Sequence, residues 1–309
     1  MTAGEATAAA AGRVLVFGSA NADLVFPVPD LPAPGRTVLG GAWRALPGGK
    51  GANQATAAAR DGARVAFAGA VGRDALAEVA AAALREAGVD LSRLAVADDA
   101  PTGAAAICVD ARGANQIAVS PGANAAARAS QVEDAALGPG TVVLLQMEVP
   151  PGEVAALAAR AAARGATGVL NLAPPGDLPP EAYRALRLLV ANEHEAAWLA
   201  ARLGTAPDPA ALRAALGCDV AVTRGEAGAE AATGEGVLRV PAFAAAPRDT
   251  TGAGDCWCGV LASALSRGAT LADAMRRAAA AASLSVERPG AASAMPTRAE
   301  TDARLTGVA

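Results

Sequence analysis

Short apolar runs alternate with longer helix-forming runs from Val14 to Val286, and no other feature restricts the fold of this chain as strongly. A strand that leads through a helix to a parallel neighbour is buried on both faces, so it reads as an unbroken apolar run. Val14–Gly18, Arg64–Ala68, Thr141–Met147, Gly168–Leu172 and Asp219–Thr223 are runs of this kind. Lys50–Arg60, Asp74–Ala87, Gly152–Arg164, Glu193–Leu203, Ala210–Leu216, Gly254–Ser266 and Leu271–Val286 read as helices. This order implies an α/β fold with a largely parallel sheet covered by helices on both faces. Aromatic residues make up only 3% of a chain that is 53% hydrophobic, so the core is expected to be Ala, Val and Leu. Alanine runs such as Ala80–Ala83 and Ala278–Ala282 suit helices lying close on a sheet.

Two segments break the rhythm. Asp23–Trp43 carries Pro27, Pro29, Pro32 and Pro34 between short β-prone pieces, and Ala104–Ser120 reads as two strands around Asp110-Ala111-Arg112-Gly113. Together, over about 23–44 and 104–120, they suggest a small sheet standing off the main domain. Either it closes over a ligand and excludes water, or the two are surface excursions without a moving part. Gly228–Thr233 with Val237–Val240 reads as a further hairpin at a sheet edge. Met1–Gly12 lacks both a basic start and a Leu/Val-rich core, so it reads as a disordered tail before a single domain over 13–309.

A formal charge of −4 gives no broad basic surface for nucleic acid or anionic membrane, so any phosphate site is local. No apolar stretch approaches the roughly 18 residues that a membrane span requires. Cys108, Cys218, Cys256 and Cys258 form no CxxC pair and His194 is the single histidine, which argues against zinc. Unpaired small cysteines fit a reducing cytoplasm.

The chemistry concentrates at Asp249-Thr250-Thr251-Gly252-Ala253-Gly254-Asp255, which runs directly into a helix. Small residues there let the backbone approach a ligand, and the amides of Gly252, Ala253 and Gly254 at a helix N-terminus favour an anion. Asp255 would repel a phosphate, so its place is that of a base taking a proton from a hydroxyl while the amides hold the phosphoryl group. The bland reading is an ordinary Gly-rich strand-to-helix turn. Asp249, six residues before the base, either caps the turn through backbone N–H groups or is neutralised by a cation.

A second glycine cluster, Gly48-Gly49-Lys50-Gly51-Ala52-Asn53-Gln54, opens the first long helix. It is no P-loop, because Lys50 is not followed by Ser or Thr. It offers Lys50 and Asn53 one turn apart on one face. With Asn21 and Asp23 after the first strand and Glu148 after another, these side chains describe a site for a polyhydroxyl ligand. Each alone also reads as a cap or a solvated charge. A dinucleotide-binding dehydrogenase is excluded, since Gly18-Ser19-Ala20-Asn21 has one glycine where G-x-G-x-x-G needs three.

From about Arg13 to Pro296 the chain resembles the PfkB (ribokinase) family of carbohydrate kinases. The resemblance rests on runs in family order: Gly18–Asp23, Pro34-Gly35-Arg36-Thr37, Gly48–Gln54, Pro101-Thr102-Gly103, Gly122-Ala123-Asn124-Ala125, Gln146-Met147-Glu148, Asn192-Glu193-His194-Glu195, Thr223-Arg224-Gly225 and Asp249–Asp255. Asn21-Ala22-Asp23, Gly48–Gln54 and Gly122-Ala123-Asn124 are similar to the family's ribokinases in particular. The resemblance implies a three-layer sandwich with a mostly parallel central sheet and a small β-sheet lid. It implies ATP-dependent phosphorylation of D-ribose at its 5-hydroxyl, with magnesium and potassium as cofactors. Other sugars or nucleosides are the alternative substrates, and a non-catalytic sugar-binding regulator is the alternative role; an intact Asp255 speaks against the latter.

Residue by residue, the resemblance implies Asp255 as base, with Gly252, Ala253 and Gly254 as the anion hole. Asn21, Asp23, Gly49, Lys50, Asn53 and Glu148 would hold the sugar. Asn192 and Glu195 would position magnesium and the nucleotide phosphates, mostly through water. Thr223, Arg224, Gly225, Glu226, Ala227 and Gly228 would line the nucleotide site. Asp249 and the carbonyls of Thr251, Ser285, Arg288, Gly290 and Ala294 would surround potassium. Ala279 stands where a ribokinase offers a larger residue to adenine, and Ala294 where Ser is common. His194 is a bystander. A homodimer through the lid sheets is also implied.

Overall fold

The computed structural model describes residues 12–307. The expected tail lies outside the described residues up to residue 11. Gly12, assigned to it, is instead buried, and its carbonyl accepts from Arg64 N–H at 2.9 Å.

In chain order come β1 (Arg13–Phe17), β2 (Asn21–Pro27), β3 (Arg44–Gly48), α1 (Lys50–Arg60), β4 (Arg64–Gly72), α2 (Leu76–Glu86) and β5 (Asp90–Ala97). The hairpin β6 (Gly103–Val109) and β7 (Asn115–Ser120) follows. Next are β8 (Thr141–Leu145), α3 (Pro151–Ala163), β9 (Thr167–Asn171), α4 (Pro180–Arg184), β10 (Leu188–Asn192) and α5 (Glu193–Leu203). Then come α6 (Pro209–Leu216), β11 (Asp219–Thr223) and the hairpin β12 (Ala229–Thr233) and β13 (Gly236–Val240). α7 (Ala253–Ser266), α8 (Leu271–Ser285) and α9 (Arg298–Thr306) complete the order.

The main sheet has nine strands in the order β13-β12-β11-β10-β9-β8-β1-β4-β5. It is parallel from β11 to β5, with the antiparallel hairpin β12–β13 at one edge. Alternate residues feed two cores. Val14 and Val16 of β1 and Leu144 of β8 pack with Ala55 of α1, Leu84 of α2, Leu261 of α7 and Met275 of α8. Leu15, Phe17 and Leu145 point the other way, to Leu157 of α3, Leu199 of α5 and Leu212 of α6. Burial on both sides explains why these strands are apolar throughout.

The strand order reverses at β1. From there the chain builds outward through β4 and β5 on one side and through β8 to β11 on the other. β1 lies in register with both neighbours, Leu15 opposite Ala66 and Val143. Such a switch point opens a crevice beyond the strand C-termini.

A separate four-stranded sheet has the order β3-β2-β6-β7. β2 pairs parallel with β6, and the flanking pairs are antiparallel. It reaches beyond the expected 23–44, because Asn21 pairs with Gly48 and Gly103 and carries the ladder to the start of α1. The predicted turn forms, with Asp110 N–H donating to Ala114 O at 2.9 Å and Gly113 N–H to Asp110 O at 3.0 Å.

A buried ion cluster pins the helices on one face. Asp61, fully buried just after α1, accepts from Arg267 at 2.7 Å and from Arg277 of α8 at 2.6 Å. Arg277 also holds Asp302 of α9 at 2.5 Å.

Candidate active site

The crevice at the switch point is built by a close crossing. Gly49, before the first residue of α1, has φ 88°, and a Cβ there would lie 2.9 Å from Asn21 N and 3.0 Å from Ser19 O. Only glycine lets the helix start press on the segment leaving β1. Ala52 N–H donates to Ser19 O at 2.9 Å. Ser19 Oγ–H donates to Glu148 Oε2 at 2.6 Å, and Lys50 N–H donates to the same oxygen at 3.0 Å. Glu148 is thereby fixed beside α1. Asn21 Oδ1 accepts from Asn124 Nδ2 at 2.7 Å, and Asn124 Oδ1 accepts from Ala20 N–H at 2.9 Å.

Asp255 sits in the first turn of α7, against the start of α1. Its Oδ2 accepts from Asn53 Nδ2 and its Oδ1 from Gln54 Nε2, each at 3.0 Å. Gly252, at φ 74°, caps the N-terminus of α7, and a Cβ there would meet Ala291 at 2.9 Å. Of the three amides expected to form the anion hole, Ala253 N–H turns back to Thr250 O at 3.2 Å. Among the described residues the N–H groups of Gly252 and Gly254, at the N-terminus of α7, have no backbone partner, as an anion site there would need.

The electrostatics separate the groups. Burial pushes Asp255 up from the ordinary carboxylate range, Lys50 and the Asn53 and Gln54 bonds pull it back, and Glu148 pushes it up again. Burial, then Glu148 and Asp255, push Asp23 to about 6 against the pull of Lys50. Burial disfavours the Lys50 cation, but Asp255, Glu148 and Glu195 more than offset it, so its pKa is raised. One cation thus stands among several carboxylates, and it stays charged.

Asn192 and Glu195 form a capping box at the start of α5. Asn192 Oδ1 accepts from His194 and Glu195 N–H at 2.9 Å, and Glu195 Oε2 accepts from Asn192 N–H at 2.8 Å. One Glu195 oxygen is therefore engaged locally and the other is left for water or a ligand. Burial raises its pKa and the Asn192 bond opposes this. His194 is exposed. Thr223–Gly228 leaves the end of β11 in a tight turn closed by Arg224 N–H to Gly228 O at 2.8 Å. Arg224 also approaches Glu230 at 3.8 Å.

Asp249 does what a cap does: Oδ1 accepts from Thr251 N–H at 2.9 Å and Oδ2 from Gly290 N–H at 2.8 Å. It also ties the turn to the segment after α8, where Val286 O accepts from Arg248 and Asp249 N–H. The Ser285 carbonyl already accepts from Arg288 N–H at 3.2 Å, and the Arg288 side chain turns to Glu300 of α9 at 2.6 Å. Both Asp249 oxygens are thus engaged by backbone N–H groups beside the anion turn. Among the described residues no cluster of three His, Cys, Asp or Glu side chains suits a metal ion.

Residues 11–298 match the model of the pfkB family carbohydrate kinases. The chain belongs to the PfkB family. This PfkB kinase is 36% identical over 301 residues to the ribokinase of Bacillus subtilis (strain 168), covering 95% of this chain and 99% of that one. To the ribokinase of Mus musculus it is 32% identical over 298 residues, with 93% and 92% covered. Its fold superposes with a TM-score of 0.85 on the Arabidopsis thaliana ribokinase complexed with ribose and ATP, at 30% identity over 96% of this chain and 99% of the other. The three-layer fold with a small second sheet is thereby that of the ribokinases.

Four buried polar residues of this PfkB kinase, joined by hydrogen bonds to the groups around Asp255 and Glu148, escaped sequence reasoning: Ser19, Gln54, Gln146 and Asn171. Three lie inside runs that the sequence had marked, Gly18–Asp23, Gly48–Gln54 and Gln146–Glu148, and a polar residue at the end of an apolar strand marks Asn171. Asn124 was marked too, and its grip on Asn21 gives that run a physical reason.

Proposed function

We propose that this PfkB kinase transfers the γ-phosphoryl group of ATP to the 5-hydroxyl of D-ribose, giving ribose 5-phosphate and ADP. The observation that carries the reading is Asp255, held by Asn53 and Gln54 at the start of α7 and facing the charged groups Asp23, Lys50 and Glu148. The ribokinase names of its relatives and the ribose and ATP of the Arabidopsis structure support the choice of substrates.

In this mechanism Asn21, Asp23, Gly49, Lys50, Asn53 and Glu148 hold the sugar, a set of donors and acceptors suited to hydroxyls. Asp255 takes the proton as the hydroxyl oxygen bonds to the γ-phosphorus. The bond from that phosphorus to the β–γ bridging oxygen breaks, and its electron pair leaves with ADP. The Gly252 and Gly254 amides steady the transferring group. Thr223–Gly228 lines the nucleotide.

Asn192 and Glu195 would hold magnesium, which would supply charge neutralisation at the phosphates. Asp249 and the carbonyls of Thr251, Ser285, Arg288, Gly290 and Ala294 would hold potassium, which would supply a positive charge that steadies the turn. The small sheet acts as a lid over the sugar. Its exposed Trp43, Ile117 and Val119 support a homodimer through that sheet. Four free cysteines suit the reducing cytoplasm.

Coupled ADP release over a panel of pentoses, hexoses and nucleosides tests the reading. D-ribose is expected to give the highest kcat/KM. Preference for another acceptor would leave the kinase and remove the sugar.

A further inference from the structure

Behind Asp255 lies a chain of buried amides that sugar binding does not require. Gln54 and Gln146 are fully buried, and Asn171 and Asp255 are 7% exposed. Gln146 Nε2 donates to Gln54 Oε1 at 2.8 Å, and Gln54 Nε2 donates at 3.0 Å to both Asp255 Oδ1 and Asn171 Oδ1.

The direction of this chain is set at both ends. An ionised carboxylate only accepts, so Gln54 must turn its nitrogen towards Asp255. Asn171 donates from Nδ2 to Val190 O at 3.4 Å, which turns its own oxygen to the second hydrogen of Gln54. Gln54 Oε1 then faces Gln146, which has to donate. The cost falls at the far end: Gln146 Oε1 is buried without a partner, lying over Gly18, where a Cβ would be 1.8 Å away. A buried polar atom left unpaired is unfavourable, so the arrangement is held by what it gives the carboxylate.

We propose that Gln54, backed by Gln146 and Asn171, is a positioning residue that keeps Asp255 ionised and directs the hydroxyl proton to Oδ2. Oδ1 takes its bond from a side chain sealed in the core, whereas Oδ2 lies on the side of Asn53, which lines the crevice. A proton on Oδ1 would put an O–H against the Gln54 amide hydrogens, and the amide would have to turn against both of its neighbours. The charged and titratable groups facing Asp255 are Lys50 of α1, Asp23 of β2, Glu148 after β8, Glu195 of α5 and Cys256 and Cys258 of α7. None of these donates a hydrogen bond to Asp255 among the described residues, so the effect of the amides is separable. The catalytic part of the inference rests on the proposed kinase reaction; the titration part does not.

The test compares Gln54→Met, Gln54→Glu and Gln146→Met with the wild-type chain in two measurements. The first is the pH dependence of kcat for ribose phosphorylation. Gln54→Met is expected to lower kcat about 10- to 100-fold, with both KM values changed far less, and to move the acid limb up by about one pH unit. Gln54→Glu puts a second carboxyl beside the base and moves the limb further, and Gln146→Met moves it less in the same direction. The second measurement needs no turnover: the Asp255 side-chain carboxyl is titrated by 13C NMR, assigned by its loss in Asp255→Asn. The same upward order is expected. A wild type that phosphorylates no sugar, with the NMR order intact, would sink the kinase reading and leave the positioning role standing. A midpoint and an acid limb unmoved in all three variants would overturn the positioning role.

Discussion

Asn53 of α1 donates to Asp255 of α7 at 3.0 Å across 202 positions of sequence. The bond joins a residue proposed to bind the sugar to the proposed base, so the two roles are not independent. Asn53→Ala is expected to raise the KM for ribose and also lower kcat, because Asp255 loses a partner. Asp23 makes no hydrogen bond to Asp255 among the described residues, and Asp23→Ala is expected to raise the ribose KM alone, roughly 10- to 100-fold. Steady-state kinetics with ribose and ATP varied in turn distinguishes them. A ribose KM unchanged in Asp23→Ala would remove that residue from the sugar site.

Asp23 also sets a pH dependence. Burial, Glu148 and Asp255 raise its pKa to about 6, so it is an acceptor for sugar hydroxyls above that value and protonated below it. The ribose KM is therefore expected to rise as pH falls through about 6, and Asp23→Asn should flatten that rise. The ATP KM should not follow the same curve. A ribose KM flat from pH 5 to 8 would contradict this assignment.

Two residues could be linked to the base only by folding. Lys50–Arg60 and Glu193–Leu203 were legible to the residue, since glycine or a capping Asn precedes each and the helical pattern is unbroken. β10 was not, because four apolar residues and the capping Asn192 run directly into α5 without a turn between them. β5 sits at a sheet edge with no fully buried residue, and α9 begins past the last family run, although Thr297 and Glu300 form a capping box. The site followed the same division. Asp255 and its glycines announce themselves locally, while the bonds of Asn53 and Gln54 to Asp255 exist only because α1 packs on α7. The tail boundary moved by one residue because the Gly12 carbonyl closes the edge of the β1–β4 ladder at Arg64.

Replacing sodium or a bulky organic cation by potassium, at fixed magnesium and ionic strength, is expected to activate the enzyme. Asp249→Ala should abolish that activation. Asp249 also holds Thr251 and Gly290 N–H, so the variant should lose basal rate as well. The wild-type cation series is thus the decisive arm. A rate indifferent to the monovalent cation would leave Asp249 as a cap only.

Asp61→Asn tests the scaffold apart from the site. Its carboxylate is fully buried between Arg267 and Arg277, and removing that charge leaves Arg267 without a carboxylate partner and Arg277 with Asp302 alone. A loss of about 3–5 kcal/mol is expected in urea unfolding, the usual result of breaking a buried pair. The ribose and ATP KM values of the folded fraction should be unchanged. Wild-type stability would show that the cluster does not pin α1, α7 and α8.

The most direct measurement is the turnover number of Asp255→Asn with ribose and ATP under saturating conditions. The side chain keeps its shape but cannot take a proton. A fall in kcat of roughly 10²–10⁴-fold, with ADP binding preserved in calorimetry, is the predicted result. A variant that keeps near-normal turnover would contradict the assignment of Asp255 as the base.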